Sequence, residues 1–347
     1  MAGVSDAFRT TVVDDVVVVR YPDPAGDAAS VRLWSELDLA DSSLTRVDEG
    51  WELRVTDLPV DRLEYLLDVD GGHRLDPTNP QTVDGVFGEH SWVGLPSYAP
   101  PAWLAAPQVP SEQAGVVIED TPAGDVEVTV WAPADADGDE PLPMLMVHDG
   151  PEMATYGELL TWAGAGIAGG GLPRFRVALL DPGPRNLRYS ANPAYTGALT
   201  GDVVPALLAA CPSDHRPVLV GQSLGGLAAL HAAWTSPGTF AGLMLQSGSF
   251  FTPELDPQES DFEFWDDVTG FVATVLAATQ AAPEAPAVAM TCGTAEENHA
   301  NNLLVRDHLT AVGMAVSWGE VRQAHTWTCW RDVLDPHLTD LLRKVWT

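Results

Sequence analysis

The chain has 347 residues, 46% of them hydrophobic, and sets 49 acidic against 17 basic side chains for a formal net charge of −32. Such a surface repels nucleic acid and anionic lipid, so neither is expected as a partner, and the charge itself reads as solubility or adaptation to a salty cytosol. No apolar run is long enough to cross a membrane, and the opening residues "MAGVSDAFRTTVVDD" lack a basic stretch followed by an apolar one, so a cytoplasmic protein is expected. The length suits two domains, or one large domain with insertions.

The first part of the chain reads as short strands separated by turns: "DVVVVRYP", "SVRLWSELD", "WELRVTDLP" and "RLEYLLDVDG". Their alternation is that of half-buried strands, and residues 1–95 are predicted to form a small β-sandwich of the early-set, immunoglobulin-like kind. Trp34 and Trp51 fall at alternating positions and are assigned to its core. Residues 96–114 form a Pro-rich connector. The aromatic residues in and before it, Trp92, Tyr98 and Trp103, are costly to leave wet, so this stretch should pack rather than hang free.

Over residues 115–347 the rhythm changes. The strands "DVEVTVWAP", "PLPMLMVHDG", "RFRVALLD", "RPVLVGQS", "FAGLMLQSGS", "AVAMTCGT" and "AVSWGEV" alternate with helical stretches at 195–210, 224–235, 299–312 and 332–346. Short apolar strands alternating with helices predict an α/β domain with a mostly parallel sheet covered on both faces, in the manner of an α/β-hydrolase. Functional groups then belong beyond the C-terminal ends of the strands. The aromatic, acidic segment 250–271 reads as a cap or lid insertion.

The stretch "VLVGQSLGGLAAL" at 218–230 places Ser223 between Gly221 and Gly225, where a strand gives way to a helix. Glycines without a Cβ let strand and helix cross closely, which holds the serine hydroxyl up at the turn as a nucleophile. The amide of Leu224 then points where an oxyanion would form, and the helix dipole adds favourable potential. A serine hydroxyl needs a base. Of the later histidines, His231 lies within the elbow helix and is expected to pack. His299, His308 and His337 are assigned to the surface. His325 stands in a loop after the last strand, where this architecture delivers its base. The acid should follow the preceding strand, as Glu296 or Glu297; Glu296 is preferred. The second oxyanion amide should come from the turn after "LPMLMVHDG": Pro151 has no N–H, which leaves Gly150, or Glu152 if the turn is unusual. Three cysteines, Cys211, Cys292 and Cys329, with no C-x-x-C pair, argue for reduced thiols and against a zinc cluster.

The elbow with "FAGLMLQSGSF", the "VHDG" turn, the "GTAEEN" acid segment, "QAHTWTCWRD" and "LDPTNPQ" together resemble the enterobactin (ferric siderophore) esterases within the esterase-D-like group. The resemblance spans most of the chain. It implies a serine carboxylic-ester hydrolase with Ser223, Glu296 and His325 as its triad and no metal or organic cofactor. It also implies a small-molecule ester as substrate, with iron-chelating catecholate trilactones named. The sandwich is expected to help wall the site, and Arg185, Arg188, Trp330 and Arg331 become candidate substrate-binding residues. Because such a ferric ligand is anionic, the arginines matter; the alternative is that Arg185 and Arg188 brace their loop through ion pairs. Two other readings stay open. One is acyl transfer of the mycolyltransferase type, and the other is a non-catalytic hydrolase-like binding protein. Oligomeric state is not legible.

Overall fold

The computed structural model describes residues 8–346, so the expectation about an export leader, read from residues 1–15, falls partly outside it. Contacts divide the chain into two units. The first comprises the chain up to Pro100 together with Gly293–Glu296 and Arg322–Thr326; the second comprises Pro101–Cys292, Glu297–Val321 and the chain from Trp327 onward.

In the first unit, strands Thr11–Val13, Val16–Pro22, Gly50–Val55 and Thr45–Val47 form one antiparallel sheet. Strands Val31–Trp34, Arg62–Val69, His90–Gly94 and Thr82–Val83 form a second, with Gly72–Arg74 paired to Arg62–Val69. Alternation builds the layer between them. Leu63, Tyr65, Leu67 and Val69 are buried while Glu64, Leu66 and Asp68 between them are less so, and they share one apolar cluster with Val17, Val19, Leu33 and Leu53. The "LDPTNP" segment is stapled inside by polar groups. The Asp76 carboxylate accepts the Tyr65 hydroxyl at 2.7 Å, and Asn79 Nδ2 donates to the Trp92 carbonyl at 2.8 Å.

Trp34 departs from its core assignment. It is 36% exposed and stacks on His90 with ring centroids 5.7 Å apart. It lies on the outward side of its short strand, where alternation runs Val31 in, Arg32 out, Leu33 in, Trp34 out. Trp51 is half-buried, with its indole N–H donated to Asp23 at 3.1 Å. Trp92 packs as expected, its ring under the Arg62 guanidinium at 4.1 Å.

The second unit is organised by an eight-stranded sheet. Its strands are β1 (Ser111–Ile118), β2 (Val126–Pro133), β3 (Met144–Val147), β4 (Arg176–Leu180), β5 (Val218–Gln222), β6 (Gly242–Gln246), β7 (Ala287–Gly293) and β8 (Val316–Val321), in the order β1-β2-β4-β3-β5-β6-β7-β8. Pairing is antiparallel from β1 to β2 and from β2 to β4, and parallel from β4 through β3, β5 and β6 to β7. The parallel strands β3 to β6 are buried on both sides. This is why they read as continuous apolar runs. Met144 and Met146 join one apolar cluster and Leu145 and Val147 the other, so the two clusters lie on opposite faces of the sheet.

Helix Leu224–Thr235 lies where expected, and helix His299–Ala311 within a residue of its predicted end. The predicted helix 332–346 is in fact Trp327–Asp332, a kinked turn, and Thr339–Trp346. Strand β1 was not legible, because it is a largely exposed edge strand without an apolar alternation. Segment 250–271 is not a lid throughout. Helix Trp265–Leu276 begins inside it and buries Val268 and Phe271 in the core, and Phe251 stacks on Trp265 at 6.0 Å. Within that helix the apolar Val268, Phe271, Val272 and Val275 are buried while Asp266 and Asp267 are exposed, one face core and the other wet. No helix among the described residues is long and apolar enough to cross a membrane.

Candidate active site

Strand β5 ends at Gln222 and helix Leu224–Thr235 begins two residues later, which leaves the whole turn to Ser223. Its backbone sits at φ 54°, ψ −123°, a region that side-chain-bearing residues avoid at a cost of about 1–3 kcal/mol. The surroundings hold it there. The Ser223 N–H donates to the Gln246 carbonyl at 2.9 Å, and its own carbonyl accepts the amides of Gly226 and Ser249, each at 3.0 Å. The crossing requires glycine: a Cβ on Gly221 would lie 2.0 Å from the Gly225 carbonyl oxygen. Leu224 opens the helix, so its amide has no acceptor within the helix.

A second turn follows β3. Asp149 adopts a left-handed φ of 50° and heads the short helix Gly150–Thr155. A Cβ on Gly150 would come within 2.5 Å of the Leu179 backbone, so only glycine fits, and its amide lies in the first turn of that helix. The turn is clamped from the side. The Arg185 guanidinium donates Nε and Nη2 to the two Asp149 carboxylate oxygens at 2.7 and 2.9 Å, and the Asp149 N–H donates to the Tyr189 hydroxyl at 3.1 Å. Such a bidentate pair on a buried carboxylate is directional and strong.

Beneath this turn lies His148, fully buried, with Nδ1 2.9 Å from the Gly225 carbonyl. A carbonyl only accepts, so Nδ1 carries the proton and Nε2, which has no hydrogen-bond partner, does not. Burial pushes this imidazole down from 6.5 to about 4, and burial lowers His231 and His337 as well. The folded state thus refuses protons that the unfolded chain accepts, and stability is lost as pH falls from about 6.5 towards 4. His148→Asn keeps a donor for the Gly225 carbonyl and removes the titration. We expect it to narrow the stability gap between pH 7 and pH 4.5 by roughly 2–3 kcal/mol in urea melts. An unchanged gap would show that His148 is not a source of acid lability.

In the first unit, Glu296 and His325 lie on loops that follow β7 and β8 in the chain. His325 Nδ1 is 2.7 Å from Glu296 Oε2, and Glu296 Oε1 accepts the Gly293 N–H, also at 2.7 Å. The Glu296 side chain is fully buried, whereas Glu297 is exposed. The two loops are joined by the Ala295 N–H to the Gln323 carbonyl at 3.2 Å, and Ala295 and Ala324 pack with the sandwich core. Close contact again demands glycine, since a Cβ on Gly293 would lie 2.4 Å from the Gln323 carbonyl oxygen.

All four residues assigned to substrate have partners within the protein. Arg188 is buried and donates to the carbonyls of Ala123, Asp125 and Asp181, so it braces its loop through backbone oxygens rather than ion pairs. Trp330 is buried, donates its indole N–H to Ser247 Oγ at 3.0 Å, and accepts Gln246 Nε2 on its carbonyl at 2.8 Å. Arg331 is buried between Asp332 and Glu158. Arg185 is partly exposed but committed to Asp149. The signals in sequence were position after a strand for Arg185 and Arg188 and the "HTWTCWR" segment of the resemblance for Trp330 and Arg331, and neither reveals where a side chain turns. Sequence reasoning also missed Ser249, whose hydroxyl lies 3.2 Å from Ser223 Oγ. Its place in "QSGSF", directly after a strand end, was the available signal.

Cys292 and Cys329 are buried and Cys211 is half-buried. Among the described residues, no group of three or more His, Cys, Asp or Glu is arranged to hold a metal ion.

Fold and site together describe an α/β protein built around a strained serine at a strand-to-helix turn. The family model described as "Putative esterase" matches residues 120–346, and the chain belongs to that family. Among curated proteins it is 28% identical over 170 residues to the iron(III) enterobactin esterase of Escherichia coli K12, covering 48% of this chain and 40% of that protein. It is 27% identical over 279 residues to the corresponding esterase of Escherichia coli O6:H1, covering 77% and 66%. The chain thus spans less than two thirds of either relative. The crystal structure of ferric enterobactin esterase from Salmonella typhimurium superposes with a TM-score of 0.79 at 19% identity, covering 99% of this chain and 98% of that one, and so shares its fold.

Proposed function

We propose that this protein is a serine carboxylic-ester hydrolase of the α/β-hydrolase type, with Ser223 as nucleophile, His325 as base and Glu296 as the acid that orients it. The observation that carries the reading is the Ser223 backbone at φ 54°, ψ −123° between strand and helix, a strained geometry whose use is to present a hydroxyl. The pairing of the buried Glu296 carboxylate with His325 at 2.7 Å supports it. Hydrogen-bonded to Glu296, Nδ1 keeps its proton and leaves Nε2 as the base.

In this mechanism the Ser223 proton passes to His325 as Oγ bonds to the ester carbonyl carbon. The carbonyl π pair moves onto oxygen, where the amides of Leu224 and Gly150 receive it. Collapse restores the carbonyl and breaks the bond to the alcohol, which leaves with the proton from His325. Water, activated by the same imidazole, then attacks the acyl-enzyme and releases the acid. Family membership and the relatives' names support an iron-chelating catecholate trilactone as the substrate class.

The protein's charge sets a test of that class. A ferric catecholate complex is anionic and meets a net charge of −32, while the arginines considered above are already engaged. Rates should be measured on a ferric trilactone, its iron-free form, a feruloyl ester and short acyl esters from low to high salt. We expect kcat/KM for the ferric complex to rise with ionic strength as repulsion is screened, and for neutral esters to stay flat. Turnover of none of these would overturn the esterase reading. Turnover of simple esters alone would overturn the trilactone assignment.

A further inference from the structure

Resting on the assignment of Ser223 as nucleophile, we infer that Ser249 is a further catalytic residue, whose hydroxyl donates a hydrogen bond to Ser223 Oγ as that oxygen gains charge. The two hydroxyl oxygens are 3.2 Å apart, and Ser249 is almost fully buried. The contact is built rather than incidental. The Ser249 N–H donates to the Ser223 carbonyl at 3.0 Å, so the two residues are joined through backbone as well as side chain.

The turn carrying Ser249 is itself immobilised. Buried Asn302 takes the Gly248 N–H on Oδ1 at 3.0 Å and donates Nδ2 to the Gly248 carbonyl at 2.8 Å, so it pairs both backbone polar groups of that residue. Phe250 closes the turn from the other side, because a Cβ on Gly248 would lie 2.4 Å from its ring. Ser247 adopts a left-handed φ of 48°, which aims the chain back towards the elbow. A purely structural serine at a buried turn normally returns its hydroxyl to a local backbone carbonyl. Here the hydroxyl faces the nucleophile instead.

The chemistry follows from which atom can spare a proton. When His325 removes the Ser223 proton, Ser223 Oγ can only accept, and Ser249 becomes the donor of that pair. Donation to a charged oxygen in a buried setting is stronger than donation to the neutral hydroxyl of the resting state. Ser249 therefore stabilises the transition state for attack more than the resting enzyme, which raises kcat rather than lowering KM. No proton leaves Ser249 in this role, and the bonds made and broken remain those of acylation.

The test is the rate of covalent labelling by a fluorophosphonate as a function of pH, with p-nitrophenyl acetate kinetics alongside, in wild type, Ser249→Ala and Ser249→Cys. For folded Ser249→Ala, we expect the high-pH plateau of labelling and kcat to fall roughly 10- to 100-fold, with KM and the inflection pH set by the histidine unchanged. Ser249→Cys, with a weak S–H donor of similar shape, should fall between the two. Labelling of Ser249→Ala within twofold of wild type would overturn the inference, as would an equal loss from a shifted inflection alone. If the alanine variant fails to fold, the cysteine variant decides: a lowered plateau supports the role, and a wild-type plateau overturns it. Failure to label wild type at all would instead remove the serine-hydrolase assignment beneath it.

Discussion

Replacing Ser223 by alanine is expected to lower kcat on a p-nitrophenyl ester by roughly 10⁴- to 10⁶-fold while the protein stays folded. The expectation divides cleanly because the backbone contacts that hold the turn do not involve the hydroxyl. The Ser223 N–H to the Gln246 carbonyl and its carbonyl to the amides of Gly226 and Ser249 survive in alanine. The loss would therefore be chemical, and circular dichroism and melting should match wild type. The strain supplies a second signature. At φ 54°, ψ −123° any Cβ is unfavourable, so Ser223→Gly should be equally inactive yet more stable, by about 1 kcal/mol. Near wild-type turnover by Ser223→Ala would refute the nucleophile. A glycine variant less stable than the alanine one would refute the strain.

The second large effect belongs to Glu296. Its two carboxylate oxygens have distinct partners: Oε1 accepts the Gly293 N–H and Oε2 faces His325 Nδ1, each at 2.7 Å. Glutamine keeps the shape but not the pattern. The Gly293 amide needs an acceptor, so the glutamine oxygen must turn to it, and the NH₂ must then face Nδ1. A donor there forces the imidazole proton onto Nε2, the nitrogen that has to accept from the nucleophile. Glu296→Gln should therefore cut kcat by roughly 10²- to 10⁴-fold with little change in KM. Glu297→Gln, at an exposed side chain, should stay within about twofold, as surface substitutions do. The reverse outcome would transfer the role to Glu297.

These contrasts also separate what could be read before coordinates existed from what could not. The elbow was legible because its requirement is local: a strand, two glycines around a serine, and a helix, all within one short stretch. The choice of His325 among five later histidines followed from chain order and loop position, and burial of His231 against Phe271 agrees with its expected packing. The preference for Glu296 over Glu297 had no local basis. Only the folded loop shows one carboxylate turned inward and its neighbour turned out.

Arg188, Trp330 and Arg331 illustrate the opposite limit. Each follows a strand end, where ligand-facing residues gather, yet each spends its polar atoms inside the protein. Partners for all three lie far away in sequence: hydrogen bonds to Ala123 and Asp125 for Arg188 and to Ser247 for Trp330, and an ion pair with Glu158 for Arg331 beside its contact with neighbouring Asp332. No periodicity or motif encodes such a partner. Trp34 failed for a related reason, since alternation identifies two faces of a strand without saying which is inside.

The sequence by itself determined the α/β class, the strands and helices with strong periodicity, and the serine at its pinched turn, because each depends on neighbours along the chain. Tertiary structure alone decided which carboxylate meets the imidazole, which arginines are spent on bracing, and that Ser249 lies beside the nucleophile. Those outcomes depend on side-chain directions and on contacts between residues distant in the chain, and covalent order leaves both open until packing and hydrogen-bond satisfaction select one arrangement.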